Sequence, residues 1–366
     1  MSGVGVGPGV PGPARHRGPT VVVAGDVLVG HQVRLDALGG VHPEYVAAAG
    51  AGRLAGAGAG ACLGALGAVG VLGALGVVEG GARPAVRVTL LAGVGDDEPG
   101  RRCSRLLADS GVDIAHISVR YSAATGMLLS VPRDGATLRV TVPCGAGLGV
   151  GPGAGGRPGA GLESGLKSGL ESSLESSLAA GLAAVASCRP GDALLVHSLT
   201  LPAVTDLVDA AYERDVQLVA DLSPFPRVGV DGEVVGGVDP AVLARFDVAV
   251  VDPEGAGLLA ESGALPGSVL ALGSLGGALG ASWDDLVREL PQALEAAGEP
   301  YDRWERPDLD APWPRHAFCG ALAGALAAGA DRPEALDAAL VAWWRERGGA
   351  GPGLAEASAD DVRGVR

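Results

Sequence analysis

Arg315 and His316 stand directly before a run of small residues, and that pairing is the chain's best candidate for chemistry. The run, AFCGALAGALAAG from Ala317 to Gly329, reads as a helix packed closely against its neighbours. A helix N-terminus presents backbone N–H groups without intrahelical partners and the positive end of a dipole, so it attracts anions. An arginine there clamps phosphate, and an imidazole titrating near neutrality can act as a base. The competing reading gives His316 no role and uses Asp310 to cap the turn or pair with Arg315. Asp96 and Asp97 have the look of paired catalytic carboxylates. His31, His116 and His197 share no metal-ligand spacing and read as polar strand-end or surface residues. The cysteines (Cys62, Cys103, Cys144, Cys188, Cys319) contain no C-x-x-C pair, which points to buried thiols in a reducing cytosol, not to disulfides or zinc.

The elements that must hold these residues follow from the patterning. TVVVAGDVLV, Thr20 to Val29, is an apolar β-branched run suited to the first strand of a buried sheet. Arg53 to Gly67 reads as the helix after it, and RVTLL at 87–91 as the next strand. Arg101 to Ser110 makes a helix that stops at Gly111. Thr125–Val131 and Thr137–Val142 form a hairpin about Pro132-Arg133-Asp134-Gly135. Further on, strands at 192–196, 216–221, 248–251 and 269–272 alternate with helices at 203–214 and 239–245. Such alternation argues for a mostly parallel sheet covered on both faces, with the hairpin as a small lid.

The chain's 366 residues suffice for one large α/β domain. A net charge of −15 argues against nucleic acid and anionic membrane as partners. Lys167 is the single lysine and Asn is absent, so a coding bias underlies the 62 glycines and weakens the meaning of each. Leu54 to Val78 carries no charge, but its glycines and the lack of a basic flank favour a buried helix over a membrane span. Residues 1–18 read as a disordered leader without a signal peptide's apolar core, 19–345 as the folded domain, and 346–366 as a flexible tail. Within the domain, 145–184 is a low-complexity insert of Leu-containing tetrads. Their spacing of four drifts about 40° per step around a helix, so no single apolar stripe survives.

Taken together, these segments resemble the ribokinase (PfkB) family of sugar and nucleoside kinases. DLDAPWPRHAFCGALAGALAAG at 308–329 resembles its C-terminal signature, a loop of roughly D-T-T-G-A-G-D followed by A-F and a small-residue helix. GDVLVG at 25–30 is similar to the opening strand, and AGVGDDEPG at 92–100 to the G-x-V-G-D-D-x-x-G turn. Thr125-Gly126 and VTVPCGAG resemble the lid strands. GDALLVHSLTLP, VQLVADLSPFP and FDVAVVDPEGAGLL match three later strand ends in order, and VLALGSLGGAL resembles T-L-G-x-x-G on the nucleotide side. The resemblance implies a ribokinase-like three-layer α/β sandwich with a mostly parallel central sheet and a small β lid, drawn from about 31–46 and 117–143. It implies that Asp96 and Asp97 belong to a structural turn. It also implies a sugar or nucleoside as partner, ATP and Mg²⁺ as cofactors where the site functions, and a homodimer through the lid.

Residue by residue, the resemblance places Asp26, Gly30, Gly50 and Gly52 on the substrate side and Gly273, Ser274, Gly276 and Gly277 on the nucleotide side. It places Asp252 and Glu254 at the metal and His316 and Arg315 at the catalytic step. The departures are pointed. Gly30 stands for a substrate-binding Asp, Leu54 for an Asn, Gly255 for the Glu of N-x-x-E, and His316 for the catalytic Asp. Pro314 has no N–H where that loop cradles phosphate, and losing one such donor costs on the order of a hundred- to a thousand-fold in rate. The resulting expectation is a catalytically impaired homologue, a pseudokinase, that binds a sugar, nucleoside or nucleotide. An active ATP-dependent sugar kinase rewired around His316 and Arg315 is the alternative, and a protein-interaction scaffold the second.

Overall fold

The computed structural model describes residues 18–32, 53–74, 86–121, 123–133, 136–142, 178–197, 200–222, 240–251, 269–271 and 312–347. Its elements in chain order are β1 (Thr20–Ala24), β2 (Leu28–Gln32), β3 (Arg53–Ala55), α1 (Ala57–Ala74), β4 (Arg87–Gly95), α2 (Glu98–Asp109), β5 (Ile117–Arg120), β6 (Gly126–Arg133) and β7 (Ala136–Val142). After helix α3 (residues 178–186) come β8 (Ala193–His197), α4 (Thr205–Tyr212), β9 (Gln217–Asp221), α5 (Pro240–Leu243), β10 (Val248–Val251), β11 (Val269–Ala271), α6 (Pro312–Ala327) and α7 (Arg332–Arg347).

Seven strands form one parallel sheet in the order β11-β10-β9-β8-β1-β4-β5. A strand covered on both faces has to be apolar throughout, which is why TVVVA, ALLVH and VAVV read as continuous runs. Alternate residues serve opposite layers. Val21, Val23, Leu195 and Val219 pack with α1, α6 and α7, whereas Val22, Ala24, Leu194, Val196, Leu218 and Ala220 pack with α3, α4 and α5. The result is the expected three-layer sandwich.

On the first face, α1 and α6 approach backbone to backbone. A Cβ at Gly64 would fall on the carbonyl oxygen of Ala317, and one at Gly320 on that of Ala61. The small-residue reading of α6 therefore has a steric cause. The charge-free segment that begins at Leu54 is largely α1, sealed in the core. Among the described residues no helix is long and apolar enough to cross a membrane.

A second sheet, β3-β2-β6-β7, pairs β2 with β6 in parallel and the outer strands antiparallel. It corrects the sequence reading in three places. TVVVAGDVLV is two strands, because Gly25 comes against Gly58 so closely that a Cβ there would sit 2.7 Å from its backbone. The chain then leaves the large sheet at Gly25-Asp26-Val27 and enters the small one at Leu28. Arg53–Ala55 is a strand paired with Leu28–Gly30, so the helix starts only at Ala57. The hairpin pairs Pro132 with Thr137 and Arg133 with Ala136, so the ladder runs two residues beyond the Val131 at which the sequence reading ended it. Of the range 117–143 expected in the lid, Ile117–Arg120 instead borders the large sheet beside β4.

Candidate functional site

The large sheet reverses its direction of growth between β1 and β8: β4 and β5 extend one side, β8 to β11 the other. Ligands of open α/β sheets bind beyond the carboxyl ends of the strands at such a switch point. Three polar residues close strands at that edge. Asp26 lies two residues past β1, His197 ends β8, and Asp221 ends β9. His197 and Asp221 are direct cross-strand partners. Arg315 and His316 meet them as the fourth and fifth residues of α6, which begins at Pro312 and not, as the sequence reading had it, after His316.

His316 Nδ1 lies 2.7 Å from Asp221 Oδ2. The His197 and His316 rings stand edge to face with centroids 5.4 Å apart at 79°. His197, Asp221, Arg315 and His316 are each no more than 8% exposed, so water competes little with their mutual contacts. Thr200, fully buried, anchors the neighbouring backbone by donating from Oγ1 to the carbonyls of His197 at 2.8 Å and Ala24 at 3.1 Å. One turn along α6, the buried Cys319 thiol lies near enough to Asp221 to feel its charge.

The two carboxyl groups are driven in opposite directions. Burial raises Asp221, yet the His316 hydrogen bond and the positive charges of His316, His197 and Arg315 outweigh it and hold the group at about 2. Asp26 is raised by burial, and the charges of His197 and His316 oppose that only in part. Burial and the negative charge of Asp221 push the Cys319 thiol well up, with Arg315 opposing, so it stays protonated. The centre is thus an ionised Asp221 hydrogen-bonded to an imidazole, with a guanidinium charge and a thiol nearby. It can orient the His316 ring, hold a polar ligand, or ligate a cation.

Of the residues singled out from the sequence, Asp26, Arg315 and His316 converge here. Gly30 lies in β2, paired with Arg53 and Leu128 in the small sheet. Gly50, Gly52, Asp252, Glu254, Gly273, Ser274, Gly276 and Gly277 fall outside the described residues. His197 is a strand-end residue as read, but it also belongs to the cluster, and Asp221 was not singled out. The available signal was a lone titratable residue closing each apolar run, VH at the end of β8 and AD at the end of β9.

Asp97, by contrast, is structural. It caps α2 by accepting from Gly100 N–H at 2.8 Å, and it binds Thr125 through both its backbone N–H and its hydroxyl.

No protein-family model and no curated protein matches the chain in sequence. Solved structures do. A PfkB protein from Polaromonas sp. JS666 superposes with a TM-score of 0.54 at 15% identity, covering 91% of this chain and 97% of its own. Adenosine kinase from Anopheles gambiae gives 0.52 at 12% identity over 94% and 98%. Aminoimidazole riboside kinase from Salmonella enterica gives 0.52 at 15% over 89% and 92%. Likeness at such identities speaks for architecture, and with the sheet order and small sheet described above it shows that this chain has the ribokinase-like fold of the PfkB kinases.

Proposed function

We propose that this protein is a catalytically impaired kinase-fold protein that binds a sugar, nucleoside or nucleotide at the carboxyl edge of its large sheet. The observation that carries the reading is the first turn of α6. The helix begins at Pro312, so Pro312 and Pro314 both fall among its first four residues. Those four positions supply the free N–H groups that make a helix start an anion cradle, and proline has none to give. Half of the donors are therefore missing where a transferring phosphoryl group would need them. His316, next in line, is already engaged by Asp221.

A second reading rests on that same contact. A carboxylate holding Nδ1 leaves Nε2 as the ring's other polar atom, the arrangement of an oriented general base. ATP and Mg²⁺ belong to this reading, with Asp252 and Glu254 as the metal-side carboxylates and Gly273, Ser274, Gly276 and Gly277 on the nucleotide side.

Two further features complete the proposal. The outer strands of the small sheet, β3 and β7, suit a homodimer through the lid. The four described cysteines are free and buried, as in a cytoplasmic protein.

The deciding experiment pairs calorimetric titration with ADP-release assays over a panel of sugars and nucleosides. Impairment predicts saturable binding of one class with ADP release no faster than the ligand-free background. Release that saturates with a sugar and collapses in His316→Ala would establish the rewired kinase instead. Absence of any binding would leave the scaffold.

A further inference from the structure

We propose that His197, Asp221 and His316 form a binding site for one divalent transition-metal ion. Each offers a ligand atom, and the three atoms lie within 4.8 Å of one another. Around a tetrahedral ion with bonds near 2.1 Å, ligand atoms sit roughly 3.4 Å apart. His316 Nδ1 and Asp221 Oδ2, now 2.7 Å apart, would open toward that spacing as the ion replaces their hydrogen bond, and the wider separations would close toward it. Two ring nitrogens with one carboxylate oxygen suit zinc, cobalt, nickel or ferrous iron, whereas magnesium and calcium prefer oxygen throughout. This donor set therefore selects a different ion from the one that accompanies ATP.

The ligands sit on rigid supports. His197 and Asp221 end adjacent buried strands in direct register, and His316 comes from a helix locked to α1 by glycine contacts. An outer shell is already built. Thr200 fixes the backbone of His197 and ties it to Ala24, and the Cys319 thiol lies beside Asp221. Such partners orient metal ligands and typically change affinity ten- to a hundred-fold when removed. The neighbouring charges are Arg315, which works against a cation, and Asp26, whose carboxyl lies close enough to both histidines for their charges to act on it. Three protein ligands leave at least one coordination position for water or a ligand oxygen, the pattern of reactive sites as opposed to closed structural ones.

The test uses the metal alone, so it is independent of the sugar-binding reading. Chelator-treated full-length protein is titrated with Co²⁺ and followed by visible absorption, then challenged with Zn²⁺. The expected result is one Co²⁺ per chain with the bands of a nitrogen–oxygen ligand set, displaced by Zn²⁺. His197→Ala and His316→Ala should each weaken binding at least ten-fold, because a ligand matters no less than its outer shell, while His116→Ala leaves it unchanged. No visible bands, a thiolate-to-cobalt band, or unaltered affinity in both histidine variants would overturn the proposal. Should a variant fail to fold by circular dichroism, the wild-type spectrum and stoichiometry decide.

Discussion

Asp97 satisfies three donors with two oxygens, and the Thr125 hydroxyl it binds in turn accepts from Gly95 N–H at 3.0 Å. Burial opposes its ionisation, but the hydrogen bonds to Thr125 and Gly100 prevail and hold its carboxyl below the ordinary value. A folded-state value that is depressed contributes stability above the unfolded value and loses it as pH falls through the folded one. Asp97→Asn keeps one acceptor oxygen and turns an NH2 toward a group that now donates to Asp97, so it should cost about 1–3 kcal/mol at neutral pH. The gap to wild type should narrow below about pH 4, where the unfolded carboxyl takes up its proton. Urea melts at pH 7 and pH 3 measure this, and an equal gap at both would contradict the assigned role. At this scale legibility was uneven. Arg315 and His316 were readable because they adjoin each other at a helix start. His197 and Asp221 were not, because their meeting depends on β8 lying beside β9, and spacing along the chain carries no trace of that.

Among the elements, the contact of α1 with α6 sorts the glycines by consequence. A methyl at Gly320 collides with the Ala61 carbonyl, so Gly320→Ala should destabilise by roughly 1–3 kcal/mol through overpacking. Gly67 and Gly70 have nothing within 4 Å of an added Cβ. Gly67→Ala should therefore stabilise by about 0.5–1 kcal/mol, since alanine suits a helix interior better. Thermal denaturation of the two variants distinguishes these signs, and a shared sign would refute the packing assignment. The elements themselves were largely legible, because continuous β-branched runs and small-residue helices leave period and composition signals. The breaks at Gly25–Val27 and Gly56 were hidden for a related reason. In a chain with 62 glycines, Gly25, pressed against Gly58, and Gly56, at a φ of +100°, look like the rest.

For the molecule as a whole, one core joins distant ends. Val21 and Val23 of β1 share a cluster with Phe318, Leu322, Leu340 and Val341. Thr20 N–H bonds Asp192 Oδ1 at 2.8 Å across 172 residues. A chain ending before Pro312 would lose α6 and α7, and with them Phe318, Leu322, Leu340 and Val341 from that core. It should show no cooperative thermal transition and fall to limited proteolysis at once; a sharp melt in such a truncation would mean that the two ends are separate units.

The pairing of α1 with α6 also has a consequence in time. On the ribosome, α1 emerges 238 residues ahead of the helix that covers it. At ordinary elongation rates that is an interval of roughly ten to fifty seconds. For that long the nascent chain carries an uncapped apolar surface, and its alanine and glycine make that surface shallow. A leucine-lined helix left waiting as long would offer chaperones and neighbouring chains a far stickier face.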